Sequence, residues 1–391
     1  MRLSTLIVGA GPVGLTAALA LTRHDISVAV VDAAERIDPR MRASTLHPPT
    51  LDMLDELGIG AGLLDAGRKV RRWQLRQHES GEHVVFDLQA LAGDTAHPYR
   101  LQLSQQTLCE LLLEQLDELG VAVQFERRVI AATQDNETVS VELEDGSTIR
   151  CDWLVGADGA GSAVRKSLGL EYAGRTYTHA SVLVATPFRF DRHLQALCDV
   201  SYCWSLRGPF SLMRQRDLWR ASLYPGVDDL ETAAGEEQVR EQLAYIAPQA
   251  RDAELLDINP YRVHERCVDR FRVGRVLLAG DAAHINAPSG GMGMNGGIHD
   301  AVNLSGKLSQ VIAGADDKLL DRYSRQRHFV ASRAVIPQAA ANRRRMLAAD
   351  RGLQDQRLAE HRSIAADPKR CREFLRKSSM LTSLEEAARV E

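Results

Sequence analysis

The sequence predicts an α/β fold: a Rossmann-like βαβ domain interrupted by a β-sheet-rich domain, with helices at the C-terminus. Three observations predict it. A short apolar run, 3–8, leads into Gly9-Ala10-Gly11-Pro12-Val13-Gly14 and then a helical stretch, 15–23. The middle of the chain breaks into short β-prone runs rather than regular βα repeats. Near residue 275 the pattern resumes with Val276-Leu277-Leu278-Ala279-Gly280-Asp281, a strand ending on an acid, followed by a glycine-rich loop and a helix near 296–313.

The first unit is the most specific. Leu3 to Val8 is long enough for a buried parallel strand, and a second strand, 26–31, ends at Asp32, 18 positions after Gly14. In such a unit Gly9 permits the tight turn, Gly11 lets a pyrophosphate approach the backbone, and Gly14 lets helix and strand pack closely. Pro12 suits the first helical turn. The helix N-terminus favours phosphate, and Asp32 can accept ribose hydroxyls, so a Rossmann-like dinucleotide site is expected.

Strands are expected next at about 70–76, 84–88 and 98–103, and a helix at 105–119. Further β runs follow at 121–125, 128–133, 138–143 and 147–150, with Asp145-Gly146 as a hairpin turn. Trp153 to Gly159 reads as a buried strand entering a turn, and 178–224 is rich in β signals. Beyond 316 the chain is charged and helical, and Arg343-Arg344-Arg345 reads as a solvated face.

With 391 residues, 45% of them hydrophobic, the chain can fill two or three domains and is not disordered at large scale. Its 48 Lys+Arg against 52 Asp+Glu, net −4, oppose a dedicated nucleic-acid binder. Six cysteines with no CxxC pair or zinc spacing argue for reduced thiols and no metal. No apolar run of spanning length occurs, and 6–21 lacks a clean cleavage site, so no stable membrane insertion and a cytoplasmic location are expected.

Three motifs stand in a telling order: Gly9–Gly14 with Asp32; Gly156-Ala157-Asp158-Gly159-Ala160-Gly161-Ser162-Ala163-Val164-Arg165; and Gly280-Asp281-Ala282-Ala283-His284, Pro288, Gly290 to Gly297, Asp300-Ala301-Val302-Asn303-Leu304 and Lys307. In this they resemble the single-component (group A) FAD-dependent aromatic hydroxylases, the para-hydroxybenzoate hydroxylase family. The resemblance spans about 1–345. It implies a discontinuous FAD-binding domain at 1–75, 98–175 and 265–345, and a β-sheet-rich substrate domain at 76–97 and 176–264. A helical tail at 346–391 completes the chain, with no room there for the thioredoxin-like domain of larger members.

For the cofactor, the resemblance implies contacts from Gly9, Gly11, Pro12, Gly14, Asp32, Arg42, Gln105 (or Gln106), Asp158, Asp281, Gly293, and the Met294 and Asn295 backbone. Asp158 has a rival role as a turn or cap residue. Asp281, at a strand end, can bond polyol hydroxyls, and glycines at 290, 291 and 293 let backbone lie against a flat heterocycle. No second GxGxxG is present, and the family binds NADPH or NADH transiently in a groove. The implied reaction is hydroxylation of an aromatic or heteroaromatic small molecule by NAD(P)H and O2 through a flavin C4a-hydroperoxide, with Pro288 bordering that face. His284 reads as loop bracing rather than a base.

Period-two alternation sorts 198–206 into Cys198, Val200, Tyr202, Trp204 and Leu206 on one face, and a solvent-like set, Asp199, Ser201, Cys203 and Ser205, on the other. Arg214, before the next turn, and Arg220, Ser222 and Tyr224 after it are placed on a common face. Tyr202, Arg214 and Arg220 are thus candidates to pack and anchor the substrate ring, while ordinary sheet core and edge charges is the other reading. Another FAD oxidoreductase of this fold, a polyene or prenyl reductase or a tailoring epoxidase, stays open. A halogenase is disfavoured because no WxWxIP is present, and a plain NAD dehydrogenase leaves the third motif unexplained. Homodimerisation and the identity of the ring are left open.

Overall fold

The computed structural model describes residues 3–347 and 350–391, so residues 1, 2, 348 and 349, taken in by the first and last domain bounds, lie outside the described residues. Leu3–Val8 is the hub of the first sheet. It pairs in parallel with Val28–Val31 on one side and Thr148–Gly156 on the other. Val123–Gln124 and Val276–Leu278 extend the parallel core outward. Val129–Gln134 and Val139–Leu143 add an antiparallel flap, joined to Thr148–Gly156 by a turn at Gly146 with φ +80°.

Helix Pro12–Thr22 has no polar face: nine of its eleven residues are buried, because helices Gln105–Glu118 and Met292–Ile312 flank it. Small residues make that possible. A Cβ on Gly14 would sit 1.9 Å from the Gly9 carbonyl oxygen, and one on Gly9 (φ +110°) 2.3 Å from that of Ala157. The long C-terminal helix begins at Met292 rather than near 296. Its run of glycines suppresses the local helix signal, and burial of Met292, Met294 and Ile298 restores it.

A second eight-stranded sheet runs His284–Ile285, Asp257–Cys267, Ala173–Thr186, Trp219–Leu223, Phe210–Arg214, Val200–Trp204, Arg72–Gln77, His83–Asp87. Arg72–Gln77 pairs with Val200–Trp204 in parallel, each residue facing a partner 127 positions away in sequence, so no hairpin signal announces it. The expected domain bounds at 75, 175 and 264 each cut through one of these strands, all of which belong whole to this sheet. A three-stranded sheet of Thr45–Leu46, Arg100–Gln102 and Arg68–Val70 bridges the two.

Both faces of the second sheet are covered. Helix Glu236–Ile246 packs on one through Val239, Leu243 and Ile246. Helices Arg351–Ala366 and Pro368–Ser378 cover part of the other, where Leu358, Cys371 and Leu375 join Trp73, Phe86 and Trp204. Among the described residues no helix is long and apolar enough to cross a membrane.

Candidate active site

Between the two large sheets lies a cleft of about 1530 Å³, running from Gly9 and Asp32 past Asp158, Asp281 and Pro288 to Trp73, Tyr202 and Tyr224. Its first arm is backbone-lined. Around a Cβ built on Gly11 there is nothing within 4 Å, so the turn opens onto free space at a helix N-terminus whose first residue, Pro12, has no N–H to leave unpaired. Asp32 accepts the Ala10 N–H at 2.6 Å and the Ala34 N–H at 2.7 Å, which fixes its carboxylate at the strand end. That cradle fits a pyrophosphate and an adjacent diol.

Arg42 lines the same arm and pairs with Asp38 at 2.8 Å. Gln105 opens its helix at the cleft edge, while Gln106 donates its amide to Glu110 at 2.8 Å. Asp158 lines the cleft and also acts as a cap: it accepts the Ser162 hydroxyl at 2.5 Å and the Ala163 N–H at 2.7 Å. Burial pushes its carboxyl pKa up. Arg165, far from solvated, donates to the carbonyls of Ala160 and Ala282 and stacks 3.9 Å over Tyr172, whose hydroxyl donates to the Asp281 carbonyl. The second and third motifs are therefore clasped together.

The Asp281 side chain is exposed to the cleft; desolvation by the protein around it pushes its carboxyl pKa up, while His284 and Arg42 pull it down. Behind it Asp300, fully buried, accepts from His284 Nε2 at 2.7 Å, Gly280 N–H at 3.0 Å and Arg327 Nε at 2.5 Å. Burial works against that carboxylate, yet Arg327 and His284 hold it at about 2. His284 braces this loop and does not line the cleft.

At the start of Met292–Ile312, Gly293 and Met294 line the cleft, and the N-cap Gly291 takes the left-handed conformation at φ +66°. The Asn295 side chain turns inward: it accepts the His47 N–H at 2.8 Å and donates to the carbonyls of Thr45 and Gly291. His47 Nε2 in turn donates to the Gly290 carbonyl at 2.9 Å. Burial first, then the nearby Arg100 charge, lowers the His47 pKa to about 3, so it stays a neutral donor. Pro288 lines the cleft and closes a turn by accepting the Gly291 N–H at 2.9 Å.

The second arm is aromatic. Tyr202, Trp204, Trp73 and Leu75 project into it from neighbouring strands, followed by Ser211, Met213, Arg220, Ser222 and Tyr224. Trp73 and Tyr202 meet edge-on at 5.8 Å. Arg220 is buried, which lowers its pKa to about 10, and ties this sheet to the first arm by donating to the Arg42 carbonyl at 2.5 Å.

Two expectations are corrected here. Arg214 opposes Trp219, and it is Met213 that opposes Arg220, so alternation puts the two arginines on opposite faces. Arg214 pairs with Asp191 at 3.4 Å and Asp199 at 3.6 Å, outside the cleft. The set read as solvent-like is largely buried instead, Ser201 and Cys203 completely, because a helical layer covers that face.

Sequence reasoning missed the far wall. His361, Phe374 and Lys377 from the C-terminal helices line the cleft, as do Asn342 and Arg345. Arg343, expected in solvent, is 4% exposed and stacks 4.4 Å over Tyr177. The high amphipathic contrast of 368–378, with Cys371 and Leu375 on one side, was the available signal that this segment packs on something. Trp73 and Arg100 also went unread, since only the nonlocal strand pairing brings them to the site.

Comparison with known proteins accounts for this arrangement. A para-nitrophenol 4-monooxygenase from Pseudomonas sp. is 36% identical over 350 residues, 86% of this chain and 85% of that one. A 6-hydroxy-3-succinoylpyridine 3-monooxygenase from Pseudomonas putida is 33% identical over 384 residues, 96% of this chain and 97% of the other. The crystal structure of a p-nitrophenol 4-monooxygenase from Pseudomonas putida superposes with TM-score 0.91 at 31% identity, covering 97% of this chain and 98% of that one. The profile of the family described as "FAD binding domain" matches residues 2–337. The chain belongs to the FAD-binding family as a flavin-dependent monooxygenase of the group A aromatic hydroxylase type.

Proposed function

We propose that this enzyme hydroxylates a small aromatic or heteroaromatic molecule, taking one atom of O2 and drawing electrons from NADPH or NADH. The observation that carries this reading is the continuity of the cleft: the glycine-lined arm and the aromatic arm share one volume, which Pro288 also lines. The activities of the two relatives, on a nitrophenol and on a hydroxypyridine, support a flat ring as substrate. Bound FAD supplies the electron relay and oxygen activation.

The chain's own residues do the rest. Gly9 and Gly11 with the helix N-terminus hold the pyrophosphate, Gly14 packs that helix against its strand, and Asp32 and Asp281 accept polyol hydroxyls. Backbone N–H groups of Gly293 and Met294 aim a helix's positive end at the ring system. His47 and Asn295 keep the 288–291 turn in place. Trp73, Tyr202 and Trp204 flatten the pocket for a ring, and the C-terminal helices keep water from its far side.

The test is substrate-stimulated NAD(P)H oxidation measured with oxygen uptake, using the FAD-loaded protein and a panel of phenols and hydroxypyridines. A product one oxygen atom heavier is expected, with the label from ¹⁸O2. Reduction of substrate without oxygen uptake would instead make the protein a reductase.

A further inference from the structure

His361 sits on helix Arg351–Ala366, is 4% exposed and lines the cleft. Its ring lies 6.4 Å from that of Trp204 and meets Phe374 edge-on at 5.7 Å, and both of those side chains line the cleft too. Nδ1 lies 2.7 Å from the Arg357 carbonyl, one turn back on the helix. A carbonyl can only accept, so the ring proton is on Nδ1 and Nε2 is left as a bare acceptor. Burial and the Arg345 charge lower the pKa of the ring, against the Arg357 carbonyl and Glu360, which keeps it neutral at pH 7.

The spare nitrogen sets this histidine apart. His47, His284 and His299 are as deeply buried, but the Nδ1 that each leaves unbonded is sealed inside protein. His361 Nε2 also has no hydrogen-bond partner among the described residues, yet it is not sealed. The helix that carries it is tied to the aromatic arm: the Arg345 carbonyl accepts both the Trp204 Nε1–H at 3.1 Å and Arg357 Nη1 at 2.7 Å. The lone pair is thus held at a set place beside Trp204. A ring entering there displaces water, and an acceptor among aromatic side chains then depends on a donor that the ring brings with it.

We propose that His361 determines specificity: its Nε2 accepts a hydrogen bond from a hydroxyl group carried by the substrate ring. The proposal rests on the hydroxylase reading and adds to it a recognition residue from the C-terminal helices. A ring without that donor leaves the nitrogen buried and unpaired, so it binds less well for a reason that has nothing to do with its size.

The experiment titrates the FAD-loaded protein at pH 7, followed by flavin absorbance, with two pairs of neutral rings that differ only in the donor. These are 4-methylphenol against 4-fluorotoluene, and 4-hydroxybenzamide against 4-fluorobenzamide. Wild type is expected to bind the hydroxyl member of at least one pair about fivefold more tightly. In His361→Leu that ratio should fall to about one through lost affinity for the hydroxyl compound, with the fluoro compound binding as before and flavin content intact. His361→Gln, which retains an acceptor, should recover part of the ratio. A residue that only braces its helix would instead lower the melting temperature in both variants and leave the ratio unchanged, which would overturn the proposal. Equal affinity within both pairs in wild type, no binding of any probe, or loss of flavin in both variants would overturn it as well. A hydroxyl preference that depends on His361 but brings no oxygen uptake would leave this residue in its role and sink the hydroxylase reading.

Discussion

Acidification should loosen this protein through two histidines that cannot take up a proton where they sit. His47 and His299 are 0% and 1% exposed. Each uses Nε2 in one bond, to the Gly290 carbonyl at 2.9 Å and the Thr50 hydroxyl at 2.8 Å, and each has a buried Nδ1 without a partner. A second proton would add charge beside Arg100 or Arg327, and burial together with those charges lowers both pKa values to about 3. Unfolded, each histidine titrates near ~6.5, so between the two values the unfolded chain binds more protons. Stability from these groups is therefore complete above about pH 6.5 and is lost steadily as pH falls toward 3. At pH 5 the gap is about 1.5 units, or about 2 kcal/mol per histidine at ~1.36 kcal/mol per unit. Against a typical total of ~5–15 kcal/mol, the pair matters. Urea denaturation of the FAD-loaded protein at pH 7 and pH 5, followed by tryptophan fluorescence and by flavin release, measures the loss. His47→Gln and His299→Gln should each reduce the pH 7 to pH 5 difference by about 2 kcal/mol. Because His47 acts on His299, the double variant should depart from additivity. An unchanged pH difference in both single variants would refute the assignment of buried neutral histidines.

Gly11→Trp should fold and yet lose its yellow colour, because the new side chain enters the open space at the first turn; normal flavin content by absorbance would remove the pyrophosphate from that place. Replacing Pro288 with leucine should uncouple the reaction, so that NAD(P)H is consumed and peroxide appears in place of product; unchanged coupling, read by peroxide assay, would make the turn merely structural. Leu375→Ala deletes a fully buried side chain under Trp73 and Phe86. It should lower stability by about 2–5 kcal/mol and raise peroxide release by admitting water at the far wall. A destabilised variant with full coupling would show that this wall does not keep the pocket dry.

Local sequence carried the first arm well. Gly9, Gly11, Gly14 and Asp32 lie within one βαβ unit, where spacing and residue type are set by backbone geometry alone. The Asp281 to Gly297 stretch was equally local, although its helix start slipped by four residues because glycines hide helical propensity. The second arm depended on what packs against what. Alternation put Tyr202 and Trp204 on one face correctly in direction, yet it could not say that the opposite face is covered by Glu236–Ile246. The Arg214 error came from carrying face parity across a turn, where the register Met213↔Arg220 decides it. Trp73 and Arg100 reached the site only through a parallel pairing and a bridging sheet distant in sequence.

The far wall also bears on how such an enzyme could change its diet. The family profile ends at residue 337, and Asn342, Arg345, His361, Phe374 and Lys377, which the last helices supply to the cleft, lie beyond it. The six-residue π-helical stretch Val330–Val335 is the joint between them, turning Arg333, Ala334 and Pro337 toward the same opening. One wall of the pocket is therefore written in a length of chain separate from the cofactor cradle. Drift or grafting in the last fifty residues can resize the chamber while the flavin cradle stays untouched, which makes this segment the place to retune substrate range.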